Sequence, residues 1–243
     1  MLDTRFPRFP GDIGNPSSLP WPTLHRRVPR ATVGRIVRAG PLPAALLARF
    51  VAAGEALVEA GAELVVTSCG FLHVAQAALA RALPVPVASS ALVLLPLVHA
   101  LHGARGPIGV LTFDARALDA ARLGPGAAGL PLLVQGLEDS AHFYEAIAGD
   151  LPNVDRDVME RDAVAAATRL ASSKPVAVVL ECTNLSPYRA TIRAALGGVP
   201  VFDLHDAIAC CAGALGGVSR TLVAQRASGD RMANGASSDG AGS

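Results

Sequence analysis

The sequence contains few charged residues, few aromatic residues and a single lysine. Charged residues occupy 17% of the 243 positions and aromatic residues 4%, and Lys174 is the only lysine. The formal net charge is +1 and the arginines are scattered along the chain, whereas nucleic-acid-binding proteins carry a basic patch or stripe. The composition therefore argues against nucleic acid as a partner.

Long apolar runs are also missing. A membrane-spanning helix needs about 18 uncharged apolar residues, and the nearest such run, at 88–101, is interrupted by Pro96 and His99. At the amino terminus, charged residues precede any apolar stretch, which is unlike a signal peptide. We therefore expect a cytoplasmic protein with no membrane partner.

Cysteine is sparse, and its spacing excludes two common roles. Four cysteines in a chain of this length do not make a disulfide framework, and the paired C-x-x-C pattern of a zinc site is absent. His99 and His102 lie three residues apart, but no third ligand is nearby in the sequence. We therefore expect free thiols, no metal and no cofactor.

Hydrophobic residues make up 51% of the sequence, which is enough for a substantial core. Strand-like and helical patterns alternate along the chain, and this alternation predicts an α/β fold with parallel strands. Residues 227–243 contain almost no large hydrophobic side chains, and this composition predicts a disordered tail. The predicted strands lie at 63–68, 85–88, 106–114, 130–137, 175–182 and 199–204, after two short ones near 1–4 and 23–28. The predicted helices lie at 43–60, 72–83, from 91 onward, 115–123, 140–148, 155–172, 187–196 and 207–215.

The two halves of the sequence repeat one pattern. "VVTSCGFL" at 65–72 matches "VVLECTNL" at 178–185, so that both cysteines share a constant offset of 113 residues. The repeat predicts two similar lobes related by a pseudo-twofold axis, each with a short, mainly parallel four-stranded sheet flanked by helices. The expected lobes are 1–103 and 104–226, with the last helices returning to the first lobe. The active site would lie in the cleft between the lobes.

Cys69 and Cys182 each end a predicted strand and precede a turn and a helix. A helix N-terminus lowers the pKa of a thiol, so we expect both thiols to be activated. Two such thiols facing one carbon could remove a proton from one side and return one to the other, which inverts the centre without a cofactor. Cys210 and Cys211 lie in the apolar stretch "AIACCAGAL", which is typical of buried, inert cysteines.

At these residues the sequence resembles the aspartate/glutamate racemase superfamily, which includes the hydantoin racemases. The resemblance rests on "TSCGF" at 67–71 and "ECTNL" at 181–185, and on "GDIGNP" at 11–16, "GVLTFD" at 109–114 and "GLEDSAHFY" at 136–144. It implies two α/β lobes and proton transfer by paired cysteines on a small carboxylate or amino-acid-like substrate. This class of enzyme also allows a homodimer.

The sequence departs from the family at the first cysteine. Amino-acid racemases of the family follow that cysteine with Asn-Thr, where this sequence has Gly70 and Phe71. On the side of the first cysteine, mainly backbone N–H groups would then bind a substrate carboxylate. Family members that decarboxylate arylmalonates lack the first cysteine, so Cys69 disfavours that activity. Maleate-isomerase-like chemistry, with one cysteine as a covalent nucleophile, stays open.

Several polar residues near the cysteines are candidates for contacting the substrate. Asp12 could receive a substrate ammonium group or orient a cysteine, or it could simply form a turn. Glu181 precedes Cys182, and since adjacent strand residues point to opposite faces we expect a structural role for it. The candidate substrate-binding residues are Asp12, Asn15, Ser68, Gly70, Phe71, Thr112, Thr183 and Asn184.

The sequence thus predicts a cofactor-independent racemase or epimerase, with Cys69 and Cys182 as its two acid–base groups. It would act on a carbon next to the carboxylate or carbonyl of an amino acid or hydantoin-like compound. Two alternatives stay open. One is a cis–trans isomerase, decarboxylase or lyase on the same scaffold, using one cysteine as a nucleophile. The other is a non-catalytic protein that binds carboxylates.

Overall fold

The computed structural model describes residues 1–103 and 105–215. Residues 1–32 form an extended segment and loops without helices or strands. The elements that follow in the first half are α1 (Val33–Ile36), α2 (Ala44–Glu59), β1 (Val65–Val66), α3 (Gln76–Ala82), β2 (Val87–Ala88) and α4 (Leu95–Leu101). Two 3-10 helices, Gly70–Ala75 and Ala91–Leu94, precede α3 and α4.

The second half is longer and more regular. Its elements are β3 (Ile108–Thr112), α5 (Ala120–Leu123), β4 (Leu132–Gly136), α6 (Phe143–Ala148), α7 (Arg156–Ala171), β5 (Ala177–Leu180), α8 (Arg189–Ala195), β6 (Val201–Phe202) and α9 (Leu204–Ala214). Short 3-10 helices occupy Ala115–Ala117, Pro125–Ala127 and Thr183–Tyr188. The α/β class predicted from the alternating pattern is confirmed.

Two parallel sheets organise the described residues. β1 pairs with β2, with Val65 opposite Val87. The second sheet has the order β4-β3-β5-β6, and all its neighbouring strands are parallel. β3 and β5 are buried along their whole length, which explains why both read as continuous apolar runs.

The first sheet has two strands, so the expectation of a four-stranded sheet there is wrong. The first residues of the chain run beside 28–31, where the N–H of Val28 donates to the Met1 carbonyl at 2.9 Å. However, the N–H of Leu2 donates to the Ser68 side-chain oxygen at 3.3 Å. In a β ladder, the N–H of Leu2 would donate to a backbone carbonyl of the neighbouring strand. Because it donates to a side chain instead, this segment packs against the sheet without joining it.

Local polar residues set several helix starts. The Asp155 carboxylate accepts from the N–H groups of Asp157 and Val158 at the start of α7, and Asp203 with Asp206 forms a capping box at α9. Ser90 accepts from the N–H of Leu92, as expected of an N-cap.

One hydrophobic core runs through both halves of the described chain. It combines the buried faces of α2 and α7 with the strands β3 and β5. α9 packs against β2 and the 3-10 helix Ala91–Leu94 of the first half. The division into lobes at 103/104 stays a prediction, and the predicted tail at 227–243 lies outside the described residues. None of the described helices combines the length and the apolarity that crossing a membrane requires.

Candidate active site

The turns that follow β1 and β5 lie directly against each other. The Thr183 hydroxyl donates to the Ser68 carbonyl at 2.9 Å, and Gly70 packs onto Glu181 so closely that a side chain at 70 would overlap it. These contacts are reciprocal, because the offset of 113 residues relates Ser68 to Glu181 and Gly70 to Thr183. Both repeats of the sequence therefore meet at their cysteine turns.

Both cysteines of these turns line one pocket, where about 340 Å³ is free of protein atoms, counting the open solvent at its mouth. Its walls are largely apolar, and its polar groups cluster around the sulfurs. The polar lining consists of Arg8, Ser68, Glu181, Thr183 and Asn184. The remaining lining consists of Leu2, Phe6, Val33, Val37, Gly70, Phe71, Phe113 and Ile147.

The thiols are not activated by their surroundings in the protein, and the expectation of lowered pKa values is wrong. Burial, followed by the negative charge of Glu181, raises the pKa of Cys69 to about 12 and that of Cys182 well above its ordinary value. The backbone N–H groups of Phe71 and Asn184 act on the two sulfurs in the opposite direction. Each thiol precedes a short 3-10 helix, so the loss of hydration outweighs these few donors.

Glu181 supplies a carboxyl group to the pocket, which the sequence reasoning missed. The Thr112 hydroxyl donates to its Oε2 at 2.7 Å, whereas its buried Oε1 has no hydrogen-bond partner among the residues that the structure describes. Burial raises the pKa of Glu181 to about 7. Strand alternation does not apply to Glu181 and Cys182, because β5 ends at Leu180; both residues lie in the turn and reach the pocket.

Asp12 connects the amino-terminal loop to Cys182. Its carboxylate accepts from Arg8 Nη1 at 3.2 Å and from Asn184 Nδ2 at 2.6 Å. Cys182 Sγ lies 3.8 Å from Asn184 Oδ1. Burial raises the pKa of Asp12, and Arg8 opposes that shift. Because Arg8 and Asn184 occupy this buried carboxylate, it is poorly placed to receive a substrate ammonium group.

Close packing holds the Asp12 loop in position. Gly11 has a φ of +100°, a conformation that glycine adopts readily. A Cβ at Gly11 would lie 2.8 Å from the Cα of Pro187, so the absence of a side chain allows the loop to approach the helix after Cys182.

Five of the eight predicted substrate-binding residues line the pocket, and three lie behind it. Ser68, Gly70, Phe71, Thr183 and Asn184 are part of the lining. The other three are not among the described lining residues: Asp12 holds Arg8 and Asn184, Thr112 holds Glu181, and Asn15 Nδ2 donates to the Arg8 carbonyl at 2.6 Å.

Arg8 and Arg122 are cations near the pocket that the sequence reasoning did not single out. Arg8 lines the pocket, and the signal for it was its position in "FPRFPGD", beside the candidate Asp12. Arg122 is fully buried, and its Nη1 donates to the Phe71 carbonyl at 2.8 Å. Its helix α5 gave no sequence signal, since Arg122 reads as an ordinary helix-surface residue.

The two remaining cysteines differ from the expectation of buried thiols. Cys210 is exposed and Cys211 is partly exposed on α9. The apolar run around them was misleading because only one face of α9 packs on the core, through Leu204, Ala207 and Ile208. Neither cysteine lines the pocket described above.

Comparison with known proteins places the chain in a family. Residues 25–212 match the family model described as Asp/Glu/Hydantoin racemase. The match spans most of the chain, and the protein belongs to this family.

The curated relatives that it resembles are lyases. The chain is 31% identical over 222 residues to dimethylsulfoniopropionate lyase 3 of Emiliania huxleyi (strain CCMP1516), covering 86% of this chain and 56% of that protein. It is 30% identical over 211 residues to the dimethylsulfoniopropionate lyase of Durusdinium sp. clade D, covering 83% of this chain and 69% of that protein. The chain thus spans between about half and two thirds of the length of these relatives.

Among solved structures, the fold is similar to glutamate racemase from Thermus thermophilus in complex with β-chloro-D-alanine. The TM-score is 0.50 at 22% sequence identity, and the match covers 78% of this chain and 71% of that one. At this identity the likeness shows the fold alone.

Proposed function

We propose that this protein is a lyase that removes the proton next to a carboxylate and expels a leaving group from the neighbouring carbon. The observation that carries the proposal is the convergence of Cys69, Cys182 and Glu181 on one pocket. The curated relatives supply the substrate to test first. Dimethylsulfoniopropionate is a carboxylate that carries a dimethylsulfonium leaving group on its β carbon.

We assign the base to Cys182 and the acceptor of its thiol proton to Glu181. Cys182 follows Glu181 directly in the chain and is the more buried of the two pocket cysteines. Burial raises the pKa of Glu181 to about 7, and its Oε1 has no partner in the described part of the chain, so it can accept a proton at neutral pH.

A cationic substrate would supply the positive charge that lowers the pKa of the thiols. The thiols stay protonated at rest because burial and Glu181 disfavour a second negative charge. An opposite charge within about 4–6 Å lowers an acid's pKa by roughly 1–3 units. The sulfonium group would therefore favour the thiolate when the substrate binds, and a substrate with a second carboxylate would do the opposite.

The elimination balances without a cofactor. The Cys182 thiolate takes the Cα proton, and the electron pair of the C–H bond becomes the new double bond between Cα and Cβ. The bond between Cβ and sulfur breaks, and its pair leaves on neutral dimethyl sulfide. The second product is acrylate, and the proton held by Glu181 passes to solvent to restore the site.

The pocket walls favour a methylated cation over an ammonium group. Phe6, Phe71 and Phe113 line the pocket, and aromatic faces attract alkylated cations that need no hydrogen-bond acceptor. Asp12, the carboxylate expected to receive an ammonium group, is already occupied by Arg8 and Asn184.

Racemisation of an amino acid is the second candidate, and a specific observation favours it. Cys69 and Cys182 occupy equivalent positions of the repeat and line the same pocket. Two-base inversion requires both thiols, whereas elimination requires one base. The two reactions share their first step, which is proton removal from the carbon next to the carboxylate.

Cysteine variants separate the two reactions. We would measure dimethyl sulfide release by gas chromatography from dimethylsulfoniopropionate, and Cα deuteration of D- and L-amino acids in D2O by NMR. The variants are Cys69→Ala and Cys182→Ala, and exposed Cys210→Ala on α9 is the matched control.

The lyase proposal expects dimethyl sulfide from wild type and Cys210→Ala, and a loss of at least about 100-fold in Cys182→Ala, the lower range for a removed acid–base group. Cys69→Ala should retain a measurable part of the activity. Amino-acid inversion that disappears in both single variants, with no dimethyl sulfide formed, would replace the lyase by a racemase.

A further inference from the structure

We infer that Arg8 binds the carboxylate of the substrate. The inference extends the proposed function, because it assigns the group that recognises the acid. Arg8 is the one cationic side chain among the described residues that line the pocket. Its side chain is 10% exposed, and its burial is offset by the ion pair with Asp12.

Three neighbours fix the plane of the Arg8 guanidinium group. Nη1 donates to both carboxylate oxygens of Asp12 at 3.2 Å, and Nη2 donates to the Thr4 hydroxyl at 3.3 Å. The guanidinium lies over the Phe6 ring, with Arg8 Cζ 4.4 Å from the centroid of that ring. The cation is therefore preorganised and loses little conformational freedom when a ligand binds.

One edge of this guanidinium keeps free donors. Nε is buried and has no hydrogen-bond partner among the described residues, and Nη2 carries a second hydrogen beyond the one given to Thr4. Nε and Nη2 point along the same edge, which matches the two oxygens of a carboxylate. A buried N–H without an acceptor is costly, and a bound carboxylate would remove that cost.

The sequence predicts that backbone N–H groups beside the cysteines hold the carboxylate. The N–H groups of Phe71 and Asn184 lower the pKa values of Cys69 and Cys182, so these two groups act on the sulfurs. Arg8 adds side-chain donors to the pocket that the sequence reasoning did not include.

The contacts of Arg8 also place a bound carboxylate relative to the proposed base. Arg8 holds Asp12, Asp12 holds Asn184 at 2.6 Å, and Asn184 Oδ1 lies 3.8 Å from the Cys182 sulfur. A carboxylate on the free edge of Arg8 would therefore be held in a fixed relation to Cys182. Such a fixed relation is what proton removal from the adjacent carbon requires.

The test measures protection of Cys182 from iodoacetamide by propionate, with neutral propionamide as the matched compound. Mass spectrometry of the Cys182 peptide reports alkylation without any need for turnover. The variants are Arg8→Lys, Arg8→Met and the double variant Arg8→Met/Asp12→Asn, which leaves no unpaired buried carboxylate. Arg5→Met is the control, because Arg5 lies on the same segment and is 71% exposed. Circular dichroism checks that each variant is folded.

We expect propionate to protect wild type and Arg5→Met, and propionamide to protect neither. Half-protection of Arg8→Met and of the double variant should need about 100-fold more propionate, a typical loss for a charge-assisted bidentate pair. Arg8→Lys should lie between, because lysine keeps the charge and loses the planar fork. Equal protection of wild type and both methionine variants would overturn the inference, as would equal protection by propionamide.

The two proposals fail in different ways. If Arg8-dependent protection by propionate occurs but dimethylsulfoniopropionate is not cleaved, the carboxylate anchor stands and the lyase does not. If dimethylsulfoniopropionate is cleaved and Arg8→Met leaves its KM unchanged, the lyase stands and the anchor is refuted.

Discussion

Replacing Gly70 by alanine should separate the two cysteine turns. The backbone of Gly70 is outside the positive-φ region, so alanine meets no conformational strain there and only space decides the outcome. Its Cβ would lie 2.7 Å from Glu181 Cδ and closer still to the Glu181 carbonyl oxygen and Oε1. Carbon atoms pack at about 3.5 Å, so clearing Cδ alone takes about 0.8 Å, and the turns must move further than that to clear the nearer backbone oxygen.

This movement has a cost that a side-chain rotation cannot relieve, because one of the overlapping atoms is a backbone oxygen. Overpacking of a core typically costs about 1–3 kcal/mol, and we expect Gly70→Ala to lie near 3 kcal/mol. A displacement of about 1 Å in a site can lower activity about 100-fold, so turnover should fall by that order even in the fraction that folds.

Urea denaturation followed by circular dichroism measures the change in the free energy of unfolding, and steady-state dimethyl sulfide release measures the change in turnover. Gly213→Ala is the matched control, since Gly213 is exposed on α9 and has open space around it. Alanine in a helix is about 0.5–1 kcal/mol more favourable than glycine, so the control should be slightly stabilised and fully active. Wild-type stability and turnover in Gly70→Ala would refute the reasoning that the two turns meet here.

Four further predictions follow from the charges and the burial of groups around the pocket. Lyase activity should rise with pH through about 7 as Glu181 ionises, and Glu181→Gln should abolish that rise together with most of the turnover. Because the pKa of Glu181 is raised from 4.5 to about 7, its contribution to stability is present below pH 4.5 and is lost as pH rises towards 7. Denaturation of wild type against Glu181→Gln over this range should reveal a difference of about 3 kcal/mol, and parallel stability curves would contradict it. Arg122 lowers the pKa of Glu181, so Arg122→Met should move the midpoint of the pH–activity profile upward, and an unchanged midpoint would show that its charge does not reach the site. Iodoacetamide at pH 8 should modify exposed Cys210 well before buried Cys182. Mass spectrometry showing the reverse order would contradict the raised pKa of the Cys182 thiol.

The sequence was informative where a pattern recurs along the chain. Alternating strand and helix patterns predicted the α/β class, since buried parallel strands such as β3 and β5 leave a continuous apolar signature. The offset of 113 residues predicted that Cys69 and Cys182 correspond to each other, and both line one pocket. Such repeats are visible in one dimension because duplicated segments keep both their composition and their register.

The parts that the sequence did not predict depend on packing between distant segments. Arg8 reaches the pocket because the loop around Gly11 packs on Pro187, and no local pattern encodes that contact. Glu181 reaches it because β5 ends at Leu180, two residues before the predicted end of the strand at 182. The pKa of a thiol depends on how much water surrounds it, which the residues next to it in the sequence do not determine.

The departure at Gly70 has a structural explanation that the sequence alone did not offer. The side chain that amino-acid racemases of the family carry after the first cysteine would occupy the same space as the carboxyl group of Glu181. In this chain, the absence of a side chain at Gly70 therefore leaves room for the Glu181 carboxyl group beside both thiols.

A 1H NMR time course of dimethylsulfoniopropionate with the wild-type protein in D2O decides between the lyase and the racemase. We expect acrylate and dimethyl sulfide to appear in equal amounts, and we expect Cys182→Ala to stop their formation while Cys210→Ala does not. An unchanged spectrum under conditions where the same protein exchanges the Cα proton of an amino acid, and loses that exchange in both Cys69→Ala and Cys182→Ala, would contradict the lyase and establish the racemase.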